Sequence, residues 1–128
     1  MVPRYRKLLG TSVKVFADVA VKHSAPLAPR DLRDEVEDTV GRGRADAIIV
    51  SGAATGKAAC VEDVRIAKEA AGRTPVFVGS GVSLVNIAEM MRHADGLIVG
   101  SAFQKDGVAG RPVDPERVRA LIEAARVV

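Results

Sequence analysis

Apolar residues along this chain fall into two alternating kinds of run. The first kind is strand-like. Val13–Lys14–Val15–Phe16–Ala17–Asp18–Val19–Ala20–Val21 has a period of two. It puts Val13, Val15, Ala17, Val19 and Val21 on one face, and Lys14, Phe16, Asp18 and Ala20 on the other. Ala47–Ile48–Ile49–Val50 is a continuous apolar run, the pattern of a parallel strand covered on both faces. The pattern predicts four strands, at Val13–Val21, Ala47–Gly52, Val76–Gly81 and Leu97–Ser101. The second kind is helical. Asp31–Thr39 is an acidic helix ending near Gly41 and Gly43, which can supply left-handed caps. Val61, Val64, Ala67 and Ala71 form a stripe, with Glu62 and Asp63 where the dipole favours acids and Gly72 as the stop. Ser83 reads as the N-cap of a third helix, with Leu84, Ile87, Ala88 and Met91 inward. Asp114–Pro115 places a cap ahead of a proline at the first helical position, and Val118, Leu121, Ile122 and Ala125 continue at helical spacing. Met1–Gly10 reads as the tail of a further helix with a glycine stop.

Strand followed by helix, repeated, dictates a parallel sheet, because a right-handed crossover needs a helix between neighbouring parallel strands. With all helices on one face, four such units make a (βα)4 half of a TIM barrel. The expected fold is therefore α/β: four parallel strands, helices on one face, closed by self-association into a (β/α)8-like barrel. Residues 1–128 then form a single half-barrel domain. The rival is a doubly wound sheet with helices on both faces, which would bury both sides within one chain. A short internal repeat fits the barrel: Ala45–Asp46–Ala47–Ile48–Ile49–Val50 resembles Ala94–Asp95–Gly96–Leu97–Ile98–Val99, 49 positions later. That offset spans two units.

Composition narrows the partners. The chain has 128 residues, where a complete barrel takes about 250. Apolar residues make up 48% and charged residues 27%, ordinary for a globular protein. Only Tyr5, Phe16, Phe77 and Phe103 are aromatic, too few for stacking platforms, so no nucleic-acid partner is expected. The net charge of +3 is spread among both signs. No stretch approaches the ~20 apolar residues of a membrane span. The single Cys60 excludes an internal disulfide, and no signal-peptide core is visible at the N-terminus, so a cytoplasmic location is expected.

Candidate chemistry gathers at the strand ends. Gly79, Ser80, Gly81, Val82 and Ser83 follow the third strand, and Gly100 and Ser101 end the fourth. Glycines there let backbone N–H groups approach a ligand, and a helix begins just beyond; a phosphate or phosphomonoester suits such a site. The same glycines also suit plain tight turns. Asp18, Lys22 and His23 end the first strand and are the candidate catalytic residues: an inward carboxylate with Lys and His beyond it can do acid–base work. An Asp–Lys ion pair at the rim is an equal reading. Thr55, Gly56 and Lys57 lie in a loop that resembles a P-loop but lacks one residue between its glycines and has Ala58 in place of the metal-binding hydroxyl. That loop either touches a ligand or is plain solvent loop. Asp46 and Asp95 sit at matching strand starts on the opposite, stability face and are set aside for catalysis. Cys60 has no Cys or His at ligand spacing, so neither a metal nor a cofactor is expected.

Four motifs in order, Ala17–Ser24, Ala47–Gly56, Val78–Val82 and Asp95–Ser101, resemble the BtpA family. The resemblance implies a phosphate-binding (β/α)8 barrel, of which this chain matches the C-terminal half, strands five to eight, with Met1–Gly10 as the helix before strand five. Gly79, Ser80, Gly81, Gly100 and Ser101 match the phosphate-binding positions. The expected function is a half-barrel that assembles with itself, as a homodimer or larger homo-oligomer, and binds phosphate or a phosphorylated small molecule. The alternatives are an isomerase or lyase acting on a phosphorylated sugar or nucleotide, a complex-assembly protein in the manner of photosystem biogenesis, and an excised barrel fragment.

Overall fold

Four strand segments pair side by side in a computed structural model that describes residues 2–19, 21, 28, 30–52 and 59–126. In chain order the elements are α1 (Val2–Leu8), β1 (Phe16–Val19), α2 (Leu32–Gly41), β2 (Ala47–Val50), α3 (Val61–Ala71), β3 (Val76–Val78), α4 (Ile87–His93) and β4 (Gly96–Leu97). Two 3-10 turns, Ser101–Phe103 and Lys105–Gly107, then lead to α5 (Pro115–Arg126). The sheet runs β1-β2-β3-β4, every pair parallel, with Asp18 opposite Ile49, Val50 opposite Val78 and Phe77 opposite Gly96.

That strand order decides between the two expected architectures. A doubly wound sheet reverses direction partway, so its helices divide between the faces. Here the order is sequential throughout, and right-handed crossovers then carry every helix to one side. Accordingly α2 packs on α3, α3 on α4 and α4 on α5. The fold is the half-barrel.

One cluster holds it together. Val19, Ile48, Val50, Val76 and Val78 from the sheet meet Val36 of α2, Val64, Ala67 and Ala71 of α3, Ile87 and Met90 of α4 and Leu121 of α5. Burying each such aliphatic side chain is worth ~1.5–3 kcal/mol. The opposite face of the sheet carries Phe16, Asp18, Ile49, Phe77 and Ile98. It is uncovered: Phe16 is 51% exposed and Ile98 44%. Phe16 and Phe77 lie against each other with ring centroids 5.3 Å apart. Two glycines make room on this face. A Cβ at Gly79 would sit 2.5 Å from Ile49 Cγ2, and one at Gly96 would sit 2.6 Å from the Phe77 ring.

Several local expectations change. The first strand is shorter than its alternation, and Val13 and Val21 at its ends are exposed because no helix reaches over them. The third helix begins at Ile87, not at Ser83, so Leu84 points to solvent. Gly41 and Gly43 do not supply left-handed caps. Positive φ falls on Arg44, and Gly43 is needed because a Cβ there would meet the Thr39 carbonyl oxygen at 2.4 Å.

The two repeated aspartates do the same job at the N-terminal rim. Asp46 accepts hydrogen bonds from the Val15 N–H at 2.9 Å and from Arg6 and Lys14, while its own N–H donates to the Val15 carbonyl. Asp95 accepts from the Val76 N–H at 2.7 Å and from Lys68, and its N–H donates to the Val76 carbonyl. Each therefore clips its strand to the preceding one, β2 to β1 and β4 to β3. The Val15 N–H, helped by Arg6 and Lys14, holds the Asp46 carboxyl down from the ordinary 3.8 to about 2. A carboxylate held lower in the folded chain than in the unfolded one stabilises the fold above pH ~4 and loses that contribution as pH falls toward 2. Asp46→Asn should therefore narrow the stability difference from wild type between pH 4 and pH 2, read as urea midpoints across that range. A constant difference over the range would disprove the clip.

Candidate functional site

Because all four strands are parallel, their C-terminal ends share one rim, and the helix-poor loops there converge. Asp18 projects from β1 onto the uncovered face. Ser51, two residues beyond Ile49 and so on the same face by the period of two, donates its hydroxyl to Asp18 Oδ2 at 3.0 Å. Gly79 follows in the next strand position, and a Cβ there would stand 2.9 Å from Ser51 Oγ. Asp18, Ser51 and Gly79 thus form a row across three strands. Lys22 and His23, the expected partners of Asp18, lie outside the described residues, as do Thr55, Gly56 and Lys57 of the loop after β2.

The third-strand loop is a folded turn. The Gly79 N–H extends the ladder, donating to the Val50 carbonyl at 2.8 Å. Ser80 is buried, and Gly81 takes φ +71°, which a side chain would strain. Asn86 organises the rest. Its side-chain oxygen accepts from the Ser83 N–H at 2.8 Å and the Ser83 hydroxyl at 3.3 Å, and its amide nitrogen donates to the Gly81 carbonyl at 3.0 Å. The Ser83 amide is consequently occupied from within the chain. Val82 is buried beneath the turn.

The fourth-strand loop closes into the 3-10 turn, with Phe103 N–H donating to the Gly100 carbonyl and Gln104 N–H to the Ser101 carbonyl. Among the described residues, the N–H groups of Gly81, Val82, Ser101 and Ala102 have no hydrogen-bond partner. These four donors come from two neighbouring loops on one rim. The first amides of α5 are occupied, since Asp114 Oδ1 accepts from the N–H groups of Glu116 at 3.0 Å and Arg117 at 3.4 Å.

The structure therefore brings Gly79–Ser83 and Gly100–Ser101 to adjacent strand ends, as expected, with Asp18 on the inner side of the same rim. Sequence reading missed Ser51 and Asn86. Ser51 was within reach, because the alternation through Ile49 assigns it to the face of Asp18. Asn86 was masked by taking Ser83 as the cap of the helix.

Comparison with known proteins agrees with the half-barrel fold. The chain is similar to the photosystem I biogenesis protein BtpA of Synechocystis sp., 46% identical over 121 residues that make up 94% of this chain and 42% of that protein. It is equally similar, at 46% over 121 residues, to protein TK2179 of Thermococcus kodakarensis, covering 94% of this chain and 45% of that one. It spans about half the length of these relatives. Among solved structures, N-(5'-phosphoribosyl)anthranilate isomerase from Pyrococcus furiosus superposes with a TM-score of 0.61 over 99% of this chain and 56% of the enzyme. At 17% identity that likeness shows the fold, with half of a closed barrel matched by the present four units. Residues 1–127 match the BtpA family, and the chain belongs to it.

Proposed function

We propose that this half-barrel binds phosphate or a phosphorylated small molecule at Gly79–Ser83 and Gly100–Ser101, and that a second copy closes the barrel around its inner face. The observation that carries the first part is the set of partnerless amides at Gly81, Val82, Ser101 and Ala102, drawn from the loops after β3 and β4. Clustered backbone donors favour an anion, and buried or half-buried N–H groups without a partner are costly unless something accepts from them. Ser80, Ser83 and Gly79 shape the loop rather than donate to the ligand from the backbone, since the Gly79 and Ser83 amides are used internally. Asp18, held by Ser51, is the acid–base group nearest the inner side of this site, with Lys22 and His23 as its proposed companions; turnover needs a substrate that reaches both.

The second part follows from the uncovered face. Phe16, Ile49, Phe77 and Ile98 make one apolar surface, and β1 and β4 each offer an open edge. Soluble monomers rarely leave such a patch bare, and open edges pair. Two copies about a two-fold axis give eight strands and a filled interior, with the two anion sites on one rim.

Titration with inorganic phosphate at constant ionic strength tests the site. The NMR amide signals of Gly81 and Ser101 are expected to move first, at millimolar phosphate. Movement elsewhere while both stay still would place the anion on another surface and refute the assignment.

A further inference from the structure

Beside the two loops, on their helix side, lies a cavity of about 210 Å³ lined by Ser83, Leu84, Val85, Ala102, Arg117 and Leu121. It opens between the turn before α4 and the first turn of α5, so it adjoins Ser83 of one proposed loop and Ala102 next to the other. Its polar side chains are those of Ser83 and Arg117, and only Arg117 carries a charge. The Arg117 Nε–H donates to the Ala102 carbonyl at 2.9 Å, which fixes the guanidinium plane against the 3-10 turn. One end of the fork lies near Gly107, where an added Cβ would come within 3.2 Å of Arg117 Nη2. The remaining donors of the fork are unused among the described residues.

Arg117 differs from the other arginines of the chain in one respect. Arg6, Arg30, Arg33, Arg65 and Arg111 each face a carboxylate. Arginines with no such partner, for example Arg4, Arg73 and Arg119, are exposed and hydrated. Arg117 is half-buried, anchored to a backbone carbonyl, and makes no ion pair among the described residues. Asp114, the residue ahead of its helix, has its Oδ1 turned to the α5 amides, and Glu116 on the helix forms no ion pair with Arg117. Arg111, in the neighbouring loop, is committed to Asp106 and exposed. A half-desolvated guanidinium with a fixed plane and free donors is built to receive an anion, and the planar fork matches phosphate oxygens two at a time. Leu121 forms the buried floor of the cavity, while Leu84 and Val85 border its open, solvent-facing side.

We propose that Arg117 is the side-chain cation of the anion site. It takes the outer oxygens of a phosphomonoester dianion from this cavity, while the Ser101 and Ala102 amides take the oxygens on the rim side. The cavity has room for roughly seven waters at liquid density, more than one phosphate group requires. This assignment rests on the phosphate reading above and adds to it the residue that supplies the charge. Without Arg117 the amides alone would offer dipoles and no full positive charge. Arg117→Lys keeps the charge but loses the fork and the Nε contact to Ala102.

The experiment is the same inorganic phosphate titration, run on wild type, Arg117→Lys and Arg117→Gln at constant ionic strength. In wild type the Arg117 Nε–H signal is expected to move with the same midpoint as the Gly81 and Ser101 amides. Arg117→Gln should weaken binding about tenfold or more, as loss of a charge-assisted bond does, and Arg117→Lys should fall between. A stationary Nε–H signal while the two amides titrate would overturn the role of Arg117 and leave the phosphate site standing. Equal midpoints in wild type and Arg117→Gln would do the same. If neither the amides nor Nε–H respond in wild type, the phosphate site itself fails and Arg117 with it. The wild-type Nε–H measurement decides the matter even if a variant does not fold.

Discussion

Phe16→Glu is expected to abolish dimerisation and cooperative folding together. Phe16 lies on the uncovered face of the sheet, 51% exposed, with its ring against Phe77. For a chain that lives as an isolated half, a polar residue at so open a position changes stability by no more than about 0.5 kcal/mol. Inside a closed barrel the same carboxylate is driven into an interior where the basic residue sharing its face, Lys14, already pairs with Asp46, and an unpaired buried charge costs several kcal/mol. Two copies bring two such like charges into one interior, which consumes much of the ~5–15 kcal/mol by which domains are commonly stable. Light scattering and thermal unfolding read the result together. Wild type should scatter as twice its 13.4 kDa and melt cooperatively, and the variant should do neither. A folded Phe16→Glu chain with an unchanged melting midpoint would end the case for closure through this face.

The second large effect concerns Gly79. Its backbone runs beneath Ile49 and Ser51, where a Cβ would lie 2.5 Å from Ile49 Cγ2 and 2.9 Å from Ser51 Oγ. Ile49 is β-branched and stiff at χ1, so its methyl cannot swing aside cheaply. Gly79→Val should therefore cost about 3 kcal/mol, the upper end for overpacking, measured as a fall in the denaturant midpoint. It should also break the Ser51–Asp18 hydrogen bond, because Ser51 must move off the row. Full stability in this variant would mean that the inner face is looser than its geometry implies.

How much of this was legible in the chain differs element by element. The helices on the covered side were readable where their stripes were long. Val64, Ala67 and Ala71 are all buried as their spacing requires. The sheet order was readable because strand–helix units in succession leave little freedom once crossovers are right-handed. The start of α4 was not. Ser83 looks like a cap in isolation, but the Asn86 side chain captures its amide and hydroxyl, and the chain spends Leu84–Asn86 in a turn before helix begins. The ends of the first strand were overestimated, since alternation continues in Val13 and Val21 beyond the helices that could cover them. In the candidate site, the glycine loops announced themselves through composition. Ser51 and Arg117 did not, because their importance lies in contacts 33 and 15 residues away along the chain, to Asp18 and Ala102.

The helix ahead of β1 bears on how a second copy can complete the ring. Each strand is served by the helix that follows it, so α2 to α5 belong to β1 to β4, and α1 is one more than four units need. Arg6 ties it to Asp46 at the rim, yet Tyr5, Leu8 and Leu9 face solvent. By the same right-handed winding, a helix before β1 belongs beside whatever strand neighbours β1 on its open edge. When that strand is β4 of a second copy, it arrives with its own α5, and two helices compete for one berth at each seam. A homodimer must then lift α1 from the wall or leave the seam crowded. Closure by a second copy is therefore coupled to displacement of α1, and the Arg6–Asp46 pair at each seam becomes the latch that assembly has to open.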